Sequence, residues 1–135
     1  MRVFDASLLA VALGDDGPDG HQARRRLRGT AEAAIPDCAD VEIAAVLRKQ
    51  WIAGGLGKAR LAAAFEGLAA LPFARFPAHP FLRRVYELRA NVGAYNAVYV
   101  ALAESLGCDL VTADRRLAAA TGIRCPVRVV EREGG

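Results

Sequence analysis

Four oxygen-bearing side chains of this sequence could carry out metal chemistry if the fold brings them together: Asp5, Glu42, Asn96 and Asp114. Hard cations such as Mg²⁺ and Mn²⁺ prefer carboxylate and carbonyl oxygens as ligands. Mg²⁺ usually keeps several waters and bridges to the phosphate oxygens of a substrate. The chemistry that such a site favours is hydrolysis of a phosphodiester by a metal-activated water.

The elements that would position these residues alternate between short apolar runs and segments with helical periodicity. The runs predict five strands, at Val3–Phe4, Ala33–Ile35, Phe73–Phe76, Asp109–Thr112 and Val127–Val130. They lack polar alternation, which is typical of strands covered on both faces. The pattern predicts one α/β domain over residues 1–135, with three α/β/α layers around a short central parallel sheet.

The four oxygen-bearing residues all fall on one edge of the predicted sheet. Asp5 and Asp114 follow the carboxyl ends of two strands, which is where ligands bind in open parallel sheets. Glu42 lies in the first turn of a helix that follows a strand, and Asn96 lies in the first turn of the helix Tyr95–Leu106. We therefore expect their side chains to converge.

Each of these residues also has a purely structural interpretation. Asp5 and Asp114 could simply cap the helices that follow them. Glu42 in a first turn would favour the helix dipole, and Asn96 alone indicates nothing. The indication of a site comes from all four falling on the same edge.

Composition places few limits on function. Of the 135 residues, 53% are hydrophobic and 24% charged, with a formal charge of +3 that suits an anionic partner. The odd cysteine count and the lack of a C-x-x-C pair favour reduced thiols in a cytoplasmic protein over a zinc site. Asp5 interrupts the opening apolar stretch, so a signal peptide is not expected, and no apolar run reaches membrane-spanning length.

Four motifs resemble those of a known family. They are V-F-D-A-S at 3–7, D-V-E-I-A-A-V-L-R-K at 40–49, R-A-N-V-G-A-Y-N-A-V-Y-V-A-L-A-E at 89–104 and L-V-T-A-D-R-R-L at 110–117. In order and spacing the chain resembles the PIN-domain ribonucleases, and among them the VapC toxins of bacterial toxin–antitoxin pairs. The resemblance implies a PIN-like fold and an endoribonuclease that uses Mg²⁺, with Mn²⁺ as a substitute. It also implies a homodimer and a VapB-type antitoxin whose C-terminal segment obstructs the acidic site.

The resemblance also assigns roles by position. Asp5 is the first acid, Glu42 the second and Asp114 the fourth. Ser7 and Thr112 match hydroxyl positions near the site.

The third acid is where the chain departs from the family pattern. The family block usually reads Y-D-A, whereas this chain reads Tyr95-Asn96-Ala97. Asparagine keeps one carbonyl oxygen and loses the charge. Two unit charges about 4 Å apart interact by roughly 4 kcal/mol at an effective dielectric of about 20. We therefore predict weakened Mg²⁺ binding and strongly reduced cleavage.

An RNA substrate requires cations for its phosphates. Arg115 and Arg116 directly follow Asp114 and are the first choice, while the basic run at residues 24–28 is better explained as a solvated helix face. Trp51 and Tyr95 could stack on bases, although for Trp51 we favour burial in the core or at a dimer interface.

Two other functions remain open. A non-catalytic PIN module that binds RNA or a protein partner is supported by Asn96. A phosphoacceptor receiver domain would need two adjacent acids after the first strand and a lysine after a late strand. The chain has Asp5 alone at that place and no lysine beyond Lys58, which argues against a receiver.

Overall fold

The computed structural model describes residues 1–131. The strands within this range are β1 (Arg2–Phe4), β2 (Ala33–Pro36), β3 (Ala74–Phe76), β4 (Asp109–Thr112) and β5 (Val127–Val129). The helices are α1 (Ala6–Gly14), α2 (Pro18–Arg28), α3 (Ala39–Ile52), α4 (Lys58–Ala70), α5 (Leu82–Leu88), α6 (Ala94–Leu106) and α7 (Arg115–Ala118), and a 3₁₀ turn at His79–Phe81 precedes α5.

All five strands form one parallel sheet in the order β3-β2-β1-β4-β5, flanked by helices. The predicted fold class is therefore confirmed. β1 is central, and Phe4 at its end lies opposite Val111 of β4. The carboxyl ends of β2, β1 and β4 consequently lie side by side, and this shared end is called the acidic edge below.

The core explains why the strands lack polar alternation. Val3, Phe4 and Leu110 are 0% exposed, as expected of a sheet covered on both faces. Helix α6 packs on β1, β2 and β4, and every residue from 97 to 103 of this helix is buried. Because α6 runs antiparallel to the strands, its first turn lies at the acidic edge.

The end of α6 controls how the chain enters β4. Gly107 adopts the left-handed conformation, with φ of 64°, and its N–H is bonded to the carbonyls of Ala103 and Glu104. Glycine takes up this conformation without the steric cost of a Cβ. The chain can then turn directly into β4, whose far end carries Thr112.

The structure also bears on membrane-spanning helices and on the pairing of the cysteines. No helix within residues 1–131 is long and apolar enough to cross a membrane. Cys38, Cys108 and Cys125 are half-buried thiols that form no disulfide.

Candidate active site

Asp5 is buried at the centre of the acidic edge, with 2% of its surface exposed. It follows β1 and caps α1: its Oδ1 accepts hydrogen bonds from the Leu8 backbone N–H at 3.1 Å and from the Ser7 hydroxyl at 2.7 Å. Asp5 therefore caps α1, as its structural interpretation proposed. This role uses only part of the hydrogen-bonding capacity of its carboxylate. A carboxylate has about four acceptor positions, so the Oδ2 atom can serve other partners.

Thr112 joins the end of β4 to the end of β1. Its hydroxyl donates to Oδ2 of Asp5 and accepts the backbone N–H of Asp114 at 3.0 Å. Ser7 lies beside it, with 3.4 Å between the two hydroxyl oxygens, and accepts the N–H of Ala113 at 3.3 Å. Each hydroxyl has a single O–H group and donates its hydrogen bond to Asp5, so both side chains orient this carboxylate.

Asp114 begins α7 and also acts as a cap. Its Oδ1 accepts the backbone N–H of Arg116 at 2.9 Å, and the Nε atom of the same arginine lies 3.4 Å away. The side chain of Asp114 is about a quarter exposed. It therefore combines a fixed position with access to solvent.

Glu42 is held by a residue that the sequence analysis missed. It lies in the first turn of α3, half-buried, and its Oε1 accepts a hydrogen bond from the Tyr99 hydroxyl at 2.9 Å. Tyr99 belongs to α6 and is 0% exposed. A sequence signal existed, because Tyr99 stands three residues after Asn96, a spacing that places both on one face of a helix.

Asn96 and Asp114 share a cleft of about 290 Å³, which Arg116 also lines. Asn96 is partly exposed in the first turn of α6, as the sequence indicated. The cleft therefore contains the carboxamide, one acid and one arginine of the predicted site.

The charges at this edge oppose one another. Burial raises the pKa of Asp5 above its ordinary value, its hydrogen bonds lower it, and the nearby Asp114 raises it further. Burial likewise raises the pKa of Glu42, the bond from Tyr99 lowers it, and the negative charge of Asp5 raises it. Like charges that disfavour each other's ionisation are expected where a cation normally binds.

The donor chemistry fits a hard cation, since Asp5, Glu42, Asn96 and Asp114 offer only oxygens that Mg²⁺ prefers. Within residues 1–131, however, no three acidic, cysteine or histidine side chains are gathered closely enough to form a ready metal site. Each acid is instead held by partners within the protein. Asp5 faces two hydroxyls, Glu42 faces Tyr99 and Asp114 faces the start of α7.

The side chains proposed for RNA contact differ in their surroundings. The side chain of Arg116 is 93% exposed and pairs with Asp114, whereas that of Arg115 is 78% exposed and pairs with Glu131. Tyr95 is 62% exposed and, with Glu42, lines an apolar cleft of about 450 Å³. Trp51 is 45% exposed, so it does not lie in the core, and its burial at a dimer interface stays a prediction.

Comparison with known proteins supports the motif interpretation. Residues 2–123 match the family model described as PIN domain. Ribonuclease VapC9 of Mycobacterium tuberculosis is 42% identical over 132 residues, which cover 98% of this chain and 100% of VapC9. PAE2754 from Pyrobaculum aerophilum matches with a TM-score of 0.66 and 26% identity over 87% of this chain and 84% of its own.

A further solved structure shares the fold alone. Mycobacterium tuberculosis VapC20, described as a sarcin-ricin loop cleaving toxin, matches with a TM-score of 0.71 at 12% identity. The match covers 88% of this chain and 94% of VapC20.

Proposed function

Because the chain belongs to the PIN domain family and is, by homology, a VapC-type ribonuclease toxin, we propose that it is a metal-dependent endoribonuclease whose catalytic site is weakened by Asn96. The observation that carries this proposal is the acidic edge, where Asp5 and Asp114 are joined through Thr112. Ser7 and Thr112 fix the Asp5 carboxylate, the cap of α7 fixes that of Asp114, and the charge of Asp114 disfavours the ionisation of Asp5, an arrangement that favours a bound cation.

The residues of the acidic edge would hold Mg²⁺ through Asp5, Asp114, Glu42 and the Asn96 carbonyl oxygen. When bound, this ion would supply charge neutralisation for the scissile phosphate and an activated water. The protein's own contribution is orientation. Ser7 and Thr112 fix the Asp5 carboxylate. Its free lone pairs are therefore already oriented, and binding a ligand costs little further side-chain entropy.

Asn96 keeps the shape of an aspartate and lacks its charge. The loss is roughly 4 kcal/mol per unit charge at about 4 Å and an effective dielectric of about 20, before water and the other acids offset part of it. We infer reduced affinity for Mg²⁺ and slow cleavage. The partly exposed position of Asn96 beside Asp114 supports this inference, because both side chains open into one cleft.

RNA binding is assigned to the rim of the acidic edge. Arg116, almost fully exposed and next to Asp114, is the main candidate for phosphate contact, and Arg115, which is 78% exposed and pairs with Glu131 farther along the chain, is the second. Tyr95 offers an exposed ring next to Glu42, where a base flanking the scissile phosphate could stack. An arginine and an aromatic ring beside acids suit a single-stranded substrate.

The similarity to VapC ribonucleases also suggests protein partners. The similarity to VapC ribonucleases supports a VapB-type antitoxin, a homodimer and action on RNA in the cytoplasm. Val41 near the start of α3 is 74% exposed, and Trp51 and Ile52 at its end are 45% and 59% exposed. Large exposed apolar side chains on one helix suit a protein interface.

A non-catalytic PIN module is the alternative, and Asn96 is the feature that favours it. Such a module would use the same surface to bind RNA or a partner protein without cutting. The two functions differ in whether a restored third acid restores cleavage.

The test is an RNA-cleavage assay of the Asn96→Asp chain with Mg²⁺ or Mn²⁺, with and without EDTA. The matched control adds Asp114→Asn, because asparagine caps helices as well as aspartate and removes only the charge. We expect cleavage by the Asn96→Asp chain that EDTA and Asp114→Asn both abolish. Cleavage that persists in the control, or in EDTA, would overturn the proposed site.

A further inference from the structure

We propose that Tyr99 is a positioning residue that holds Glu42 in place at the acidic edge. The inference rests on the proposed function, since it assigns a role to a group behind one of the proposed acids. Its basis is the 2.9 Å hydrogen bond from the Tyr99 hydroxyl to Oε1 of Glu42. No motif assigned a role to Tyr99, and its hydroxyl is a polar group on an otherwise apolar stretch of α6.

The position of the Tyr99 hydroxyl is fixed by packing. The residue is 0% exposed and lies in a run of seven consecutive buried residues of α6. A tyrosine has only two side-chain torsions, so an enclosed ring leaves its hydroxyl little freedom. The donor is thus set by the core, which does not depend on the metal or the substrate.

Glu42 needs such a donor more than the other acids do. Asp5 and Asp114 have short side chains fixed by caps, whereas Glu42 has one more torsion and lies half-buried on α3. Within residues 1–131, Tyr99 is its one side-chain hydrogen-bond donor. The bond occupies Oε1 and leaves Oε2 for the acidic edge.

Tyr99 also lies close to the centre of the site. The negative charges of both Glu42 and Asp5 act on its hydroxyl. Helix α6 therefore brings two groups to this edge, Asn96 at the surface and Tyr99 beneath it, three residues apart. The side chain of Glu42 is therefore held by α6, the same helix that carries Asn96.

The test compares Tyr99→Phe, which keeps the ring, with Tyr86→Phe, whose ring is 64% exposed on α5. Two quantities are measured: Mn²⁺ affinity by equilibrium dialysis, and RNA cleavage in the Asn96→Asp background. We expect Tyr99→Phe to weaken Mn²⁺ binding and to lower kcat by about tenfold, as for one charge-assisted hydrogen bond. KM for RNA should stay unchanged, and Tyr86→Phe should change neither quantity.

A double-mutant cycle with Glu42→Ala, which leaves the Tyr99 hydroxyl without its acceptor, separates positioning from general stability. If Tyr99 acts through Glu42, Tyr99→Phe should have no further effect on Mn²⁺ binding once Glu42 is replaced. Equal effects in both backgrounds would assign Tyr99 a structural role alone and overturn the inference. If Glu42→Ala itself changes neither Mn²⁺ binding nor cleavage, the proposed function fails first.

A second variant covers the case in which Tyr99→Phe unfolds. Glu42→Asp keeps the charge and shortens the side chain, so the carboxylate no longer reaches Tyr99. We expect this variant to lose Mn²⁺ affinity as Tyr99→Phe does, with its thermal unfolding midpoint preserved. Unchanged Mn²⁺ affinity and kcat in Glu42→Asp would contradict the inference.

Discussion

The hydroxyl of Thr112 donates a hydrogen bond to Oδ2 of Asp5 across 107 residues of sequence, and accepts the backbone N–H of Asp114. Thr112 is 0% exposed, and Asp5 is nearly so. One buried side chain thus connects the first and fourth acids of the family pattern. The relationship depends on the parallel pairing of β1 with β4, which brings the ends of both strands together.

Replacing Thr112 with valine should destabilise the protein as well as the site. The variant keeps the volume, removes the donor to Asp5 and leaves the Asp114 N–H without its acceptor. We expect the free energy of unfolding in urea to fall by about 1–3 kcal/mol. Thr30→Val is the control, since the Thr30 hydroxyl bonds an exposed carbonyl, and a change within about 0.5 kcal/mol is expected there. Equal losses in both variants would contradict this role.

The stability of the protein should depend on the ionisation of Asp5. Burial is the main cause that raises the pKa of Asp5 in the folded state above 3.8. The folded protein therefore binds a proton more tightly than the unfolded chain. The stability linked to this group is present below the unfolded pKa and is lost as the pH rises through the folded pKa.

The corresponding experiment is thermal unfolding of Asp5→Asn and the parent chain across this pH range. We expect Asp5→Asn to gain stability relative to the parent as the pH rises from below 3.8 to neutral, because asparagine does not ionise. A stability difference that does not change with pH would show that Asp5 ionisation has no cost in the folded state.

Arg116 should contribute to RNA affinity through phosphate charge. Its side chain is 93% exposed beside Asp114 of the acidic edge, whereas the Arg128 side chain is 56% exposed and pairs with Asp109. Arg116→Ala should weaken RNA binding and reduce the salt dependence of log K by about 0.7, the contribution of one phosphate contact on a single strand. Arg128→Ala is the control and should leave the slope unchanged. The proposed contact is wrong if both variants alter the slope equally.

Tyr95 should contribute by stacking. Tyr95→Ala removes an exposed ring beside Glu42, and stacking of one base on an aromatic side chain contributes about 1–3 kcal/mol. We expect the Kd for single-stranded RNA to rise by roughly tenfold or more, while Tyr95→Phe retains affinity. A similar loss in Tyr95→Phe would instead assign the effect to the hydroxyl.

The fold was largely predictable because the strands are short, mostly apolar runs bounded by turn or charged residues. The predicted strands match the observed ones to within one residue at either end. The placement of Asp5 and Asp114 at one edge follows from the parallel arrangement alone. The pattern of elements thus determined where the oxygen-bearing residues lie along the sheet.

Side-chain partners were harder to predict. Tyr99 stands in an apolar stretch, and the sequence pattern alone predicts a core residue like its neighbours. The Glu42 that it contacts is 57 residues away, so the pattern gives no sign of this hydrogen bond. The sequence also gives no sign that Asp5, Glu42 and Asp114 each accept hydrogen bonds from different groups of the protein. For Trp51, hydrophobicity alone does not distinguish burial in the core from burial at a protein interface, and its 45% exposure excludes only the core.

The measurement that tests the account most directly is Mn²⁺ binding and RNA cleavage by this chain beside its Asn96→Asp version. Restoring the charge adds roughly 4 kcal/mol of gross attraction per unit charge at about 4 Å and an effective dielectric of about 20. Even after partial offset by water, we expect tighter Mn²⁺ binding and a cleavage rate raised at least about a hundredfold. Equal metal affinity and equal cleavage in the two chains would contradict the central claim that the missing charge at Asn96 weakens this site.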